Sequence, residues 1–135
     1  RIREKHYVFA NCLYCDARMD TYRMLRSEEG FFLAEDGSYT GAAEQVLREF
    51  AADDTRKKMR KWLEIASMEQ LLGPAMEKTE FFYQRKVGVG YRYGRMTALF
   101  VNDAADGRLH HFILGFDEFH DSEKMGTDEK FQLIL

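Results

Sequence analysis

Three stretches of the chain carry residue types that could do chemistry. Cys12-Leu13-Tyr14-Cys15 has the C-x-x-C spacing of a redox dithiol or of half a zinc site. Val87-Gly88-Val89-Gly90-Tyr91-Arg92-Tyr93-Gly94-Arg95 has glycines that could cradle a phosphate. His110 and His111 are adjacent, with His6 and His120 completing the histidines. What each stretch does depends on the element that presents it.

The cysteines sit in HYVFANCLYCDARM, which reads as a strand. Residues three apart on a strand point to opposite faces, so the two thiols diverge. A zinc site needs two further ligands at a recognisable spacing, and adjacent histidines diverge in the same way. The cysteines therefore read as reduced thiols in or near the core of a cytosolic protein. A nucleotide-binding glycine loop runs directly into a helix, whose N-terminus faces the phosphate. Here the loop runs into YRYGRMTALFV, a strand. A kinase-type glycine loop does lie between strands, but the lysine and acidic motifs that must follow it are missing. Gly88 and Gly90 are hairpin glycines, supplying the positive φ that reverses two antiparallel strands. The sequence contains no G-x-S-x-G, H-E-x-x-H or Walker A motif. No catalytic residue and no metal ligand is assigned.

The elements around these stretches fit one domain, since 135 residues suffice to close a single core. Hydrophobic residues make up 45% and aromatics 14%, which excludes a disordered tail. Eleven Phe and seven Tyr favour a sheet. A net charge of −3 argues against a dedicated nucleic-acid binder. No run approaches the ~18 apolar residues of a membrane span, and no signal peptide is seen. The chain begins at Arg1, so a segment of a longer protein is expected.

Residues 6–15 and 21–26 read as strands around a polar turn, followed by the loop SEEGFFLAEDGSYTG. Thr40 is the expected cap of a helix over Ala42–Ala51, with Val46, Leu47 and Phe50 on one face. Asp53-Asp54 reads as a fresh helix start, and Met59, Trp62, Leu63 and Ala66 form its apolar stripe. Gly73-Pro74 stops it. The basic cluster of Arg56, Lys57, Lys58, Arg60 and Lys61 reads as a solvated face, since no aromatic lies among the charges to stack on bases. Residues 79–87, 91–101 and 108–116 read as three strands, joined by turns at Gly88–Gly90 and Asn102–Gly107. The tail from Asp117 is polar and ends in Phe131-Gln132-Leu133-Ile134-Leu135.

Two strands, a helical middle and three long strands is the element order of the PAS fold, and several segments resemble that family. CLYCDARMDTYRML looks like its opening hairpin. AADDTRKKMRKWLEIASMEQLL is similar to the stretch that often carries an H-P-x-D helix start, although Ala51-Ala52 replaces His-Pro before Asp53-Asp54. FFYQRKVGVGYRYGRMTALFV and HHFILGFDEFHD resemble the closing strands, with Ile113-Leu114-Gly115 and Asp117 matching. The wording is most similar to PAS modules that precede diguanylate cyclase (GGDEF) domains in bacterial signalling proteins.

The resemblance implies an α+β domain over residues 1–120, with a five-stranded, mainly antiparallel sheet and a helical middle on one face. Residues 121–135 would be a linker to an output domain. The expected role is a non-catalytic, cytoplasmic module that forms a homodimer and either senses a small ligand or only mediates dimerisation, its pocket holding a metabolite or nothing but side chains. Haem and flavin are disfavoured: no His lies between positions 7 and 109 to ligate iron, and no Cys follows position 15 to react with flavin. By analogy with flavin-binding relatives, His111, Ile113 and Asp117 face inward on the last strand. Phe9, Asn11, Leu13 and Cys15 do so on the first. Asn11, His111 and Asp117 are then the polar groups that orient a ligand. Phe112, Leu114 and Phe116 form an outer apolar patch, covered by a second subunit or by Ile2, Tyr7 and Val8. The rival reading is a stand-alone small α+β ligand-binding protein or enzyme, which would need a convergent pair such as His111 with Asp117.

Overall fold

Alternation of buried and half-buried residues along Asn11–Asp16 makes this segment strand β1, with Asn11, Leu13 and Cys15 on the buried side. The chain was built as a computed structural model that describes residues 8–119. The turn after β1 is set by Asp16, whose Oδ1 accepts from the N–H groups of Arg18 and Met19 at 2.9 Å each. Asp20 takes φ 57°, an uncommon value that Asp tolerates, and returns the chain into β2 (Thr21–Arg26).

A short strand, β3 (Asp36–Ser38), pairs with β2 and leads straight into helix α1 (Tyr39–Phe50). The cap is Ser38, not Thr40: its Oγ accepts from the Gly41 N–H at 3.0 Å. Thr40 instead bonds Asp20 through both its N–H and its hydroxyl. Val46, Leu47 and Phe50 are buried, as their spacing predicts. The second predicted helix is divided. Helix α2 (Arg56–Leu63) begins after Thr55, and Glu64 is extended (φ −63°, ψ 141°) before α3 (Ile65–Leu71). The break rotates the apolar stripe, so Ser67 and Met68 are buried and Ala66 is exposed.

The three long strands are β4 (Lys78–Val87), β5 (Gly90–Val101) and β6 (His111–Phe119). Val87 pairs with Gly90, leaving Gly88-Val89 as a two-residue turn in which Gly88 has φ 62°, whereas Gly90, also expected to take positive φ, does not and begins the returning strand. The glycine stretch is a hairpin. Among the described residues the sheet has six strands in the order β3-β2-β1-β6-β5-β4, all pairs antiparallel. Five strands were expected. The sixth is β3, too short to carry a hydrophobic alternation. The helices cover one face, and their buried side chains form one cluster with Leu13, Cys15, Met96, Ala98, Phe112 and Leu114.

Candidate functional site

The register between β1 and β6 decides which side chains can line a site. Leu13 lies opposite Leu114, Cys15 opposite Phe112, and Asn11 opposite Phe116, and directly paired residues share a face. Phe112, Leu114 and Phe116 are 0%, 1% and 3% exposed, under the helices. The expected orientation of β6 is therefore reversed. The proposed outer patch is core, and His111, Ile113 and Asp117 project from the other face of the sheet. Asn11, Leu13 and Cys15 do point inward as expected. Phe9 does not: a Cβ on Gly115 would meet its ring at 2.4 Å, which places Phe9 on the face of the sheet opposite α1–α3. Val8 is exposed and covers nothing, and Ile2 and Tyr7 lie outside the described residues.

The middle of the helix-covered face is filled by Tyr39, Leu47, Met59, Leu63, Met68, Met96 and Phe112. Open space lies at one end of it. A cavity of about 450 Å³ is bounded by residues 28–32, the C-terminal end of α1 (Glu49, Phe50) and the ends of β4, β5 and β6. This is within the size range of small-molecule sites. Phe31, Phe32, Phe50, Tyr83 and Phe116 supply aromatic walls. Their rings pack on one another: Phe50 stacks on Tyr83 at 4.9 Å, and Phe31 tilts against Phe116 at 5.5 Å.

Polar groups converge on the same space. Arg85 grips Glu118 through two bonds, Nε to Oε2 at 2.9 Å and an Nη to Oε1 at 3.1 Å. The Tyr83 hydroxyl donates to Glu118 Oε2 at 3.1 Å, and Arg92 approaches Oε1 at 3.7 Å. The bond to Glu118 raises the Arg85 pKa further. Burial, and then the Glu118 charge, push the Tyr83 phenol far above its usual range, so it remains a donor at any physiological pH. Tyr83 fits because Gly94 lies beside it: a Cβ on Gly94 would meet the Tyr83 ring at 2.1 Å.

Of the ligand residues read from the sequence, only Asn11 and Asp117 line this cavity, and the Asp117 side chain is turned to the opposite face of the sheet. The Asp117 carboxylate is engaged with Arg95 at 3.2 Å. Leu13 and Cys15 are deep core, and burial holds the Cys15 thiol well above its usual pKa. Ile113 is half-buried on the face opposite α1–α3. His111, at the far end of β6, stacks on Tyr14 at 5.1 Å and sits between Asp103 (Nδ1 to Oδ2, 2.8 Å) and Asp16 (Nε2 to Oδ2, 3.4 Å). His111 and Asp117 are six residues apart on one strand, roughly 20 Å, and form no acid–base pair. Among the described residues, no group of three or more His, Cys, Asp or Glu could hold a metal ion.

Sequence reasoning missed Tyr83, Arg85 and Glu118. The period of two along β4 and β6 carries their signal, since Tyr83, Gly94 and Glu118 are aligned across three strands. No protein-family profile, curated protein or solved structure matches the chain.

Proposed function

We propose that the chain is a PAS-like sensory or regulatory module of a larger bacterial signalling protein, without catalysis of its own, whose output is a diguanylate cyclase domain. The observation that carries this reading is the position of the cavity. A ligand there touches the segment 28–32 on one side and the end of β6 on the other. β6 is the last described strand and leads into residues 120–135. Occupancy is thereby coupled to the chain that continues towards a following domain. The element order supports the family reading: two strands, then a helical segment on one face, then three long strands. The short β3 is an addition to that order. Self-association as a homodimer belongs to the proposal as well, through a surface other than Phe112, Leu114 and Phe116.

The test uses the natural full-length chain. Phe31→Trp, which fills part of the cavity, should change the synthetic activity of the downstream domain at least severalfold while leaving the fold intact by circular dichroism. Output indifferent to this change, or a gene with no downstream domain, refutes the module. The second outcome favours the stand-alone ligand-binding protein, because the same cavity would serve it.

A further inference from the structure

We infer that this cavity takes a small organic cation that carries a hydrogen-bond acceptor; the inference rests on the sensory reading and names its ligand class. The argument begins with charge. Arg85 and Arg92 are the basic residues at the cavity, and both face Glu118, which neutralises them in part. Glu28, Glu29 and Glu49 also line it as exposed side chains outside the ion pairs of the described residues, with the Glu49 charge acting on Arg85. The space is therefore net negative. An anion entering it would have to displace Glu118 from a two-bond grip by Arg85, and would meet three more carboxylates.

The walls favour a particular kind of cation. Phe31 and Phe32 are half-buried, so part of each ring opens to the cavity. A ring face attracts an alkylammonium and does not require it to give up hydrogen bonds, which suits a methylated or otherwise weakly hydrated cation. Asn11 supplies the second recognition element. It is 7% exposed, and its Oδ1 is occupied by the Glu28 N–H at 2.7 Å. Its NH₂ group makes no hydrogen bond among the described residues and is still reached by solvent, so it is a donor open to a molecule in the cavity. A carbonyl or ether oxygen on the ligand fits that donor. The aromatic rings then hold the cationic end, with the carboxylates around it.

The experiment is calorimetry and thermal melting of the 135-residue chain with acetylcholine chloride as the probe, which has a quaternary ammonium and an ester carbonyl. Tetramethylammonium chloride is the comparison cation, and sodium acetate and sodium phosphate are the anions, all at matched ionic strength. Acetylcholine should bind and raise the melting temperature, and tetramethylammonium should bind more weakly. Glu28→Gln and Glu49→Gln should each weaken binding by up to about fivefold, and Phe31→Ala by about tenfold. Asn11→Asp keeps the acceptor for the Glu28 N–H but loses the donor, and should erase the preference over tetramethylammonium.

Binding of acetate or phosphate with no response to acetylcholine overturns the inference. If Phe31→Ala abolishes that binding, the sensory reading survives with a ligand of the opposite charge. Acetylcholine binding that is indifferent to all four substitutions places the site elsewhere and also overturns it. Silence of every probe does the same, and leaves the sensory reading to the output assay of the full-length chain.

Discussion

Truncating Phe112 to alanine should cost far more stability than truncating its neighbour Ile113, and the difference tests which face of β6 the helices cover. Phe112 is fully buried and meets the Tyr39 ring edge-on at 5.4 Å. Replacing a buried Phe by Ala costs about 3–5 kcal/mol, as lost transfer energy plus the cavity left behind. Unfolding entropy near the midpoint is about 2.1 cal/mol/K per residue, or roughly 0.28 kcal/mol/K for a chain of this length. The expected fall in Tm is therefore about 11–18 °C. Ile113 is half-buried on the opposite face, so its truncation should cost about 1 kcal/mol and ~4 °C. Both variants are compared by thermal and urea unfolding, with light scattering at matched concentration. Equal losses, or a larger loss at Ile113, refute the assigned face. So does a Phe112→Ala protein that keeps its stability but changes its oligomeric state.

Other expectations follow from single contacts. Gly94→Ala forces the Tyr83 ring out of its place and should cost about 1–3 kcal/mol, with the Gly94→Ala/Tyr83→Ala double variant less destabilised than the sum of the two single changes; a neutral Gly94→Ala disproves the close approach. Burial opposes the charged form of Asp16, but the N–H groups of Met19 and Arg18, with His111 nearby, outweigh it and hold the carboxyl below its usual range. A depressed folded pKa gives stability that is present above the unfolded value and lost as pH falls through the folded one. Asp16→Asn should thus remove part of the acid loss below about pH 4, measured as Tm against pH, and an unchanged profile counts against it. Burial raises the thiol pKa of Cys12 and, much more, of Cys15. Cys15 should react with a thiol reagent only on unfolding and Cys12 slowly in the native protein, whereas a native Cys12–Cys15 disulfide in mass spectrometry would contradict their opposite orientation.

The sequence made most elements legible because their signals are local. Gly88 and Gly90 announced the hairpin, Val46, Leu47 and Phe50 the buried face of α1, and the turn at Asp16 its own position. What failed was of another kind. Ser38 and Thr40 are both good caps, and the choice between them depends on Asp20, which is distant in sequence and takes Thr40 for itself. The break at Glu64 has no glycine or proline to mark it. The orientation of β6 was read from Gly115 and Asp117 by analogy, while its own residues alternate Phe112, Leu114 and Phe116 against His111, Ile113 and Asp117. Hydrophobicity pointed to the correct face, and the pairing with β1 fixes it. The cavity was illegible for a similar reason: Asn11, Phe31, Phe50, Tyr83 and Glu118 come from five separate segments, and only the register of the sheet gathers them.

The pairing of β1 with β6 also sets the order in which the protein can be made. Cys12 faces Gly115 and Leu13 faces Leu114, so the central ladder joins segments about a hundred residues apart, the slow kind of closure in folding. On the ribosome the first hairpin, the helices and the β4–β5 hairpin can each form from neighbouring residues as they emerge. The central ladder is completed only when β6 arrives. Until then the hydrogen-bonding edges of β1 and β5 that β6 will occupy are both open, each offering a template to another nascent chain. A chain stalled or truncated before His111 retains nearly all of its local structure and none of its closure, so the end of the domain, more than its middle, separates folding from aggregation.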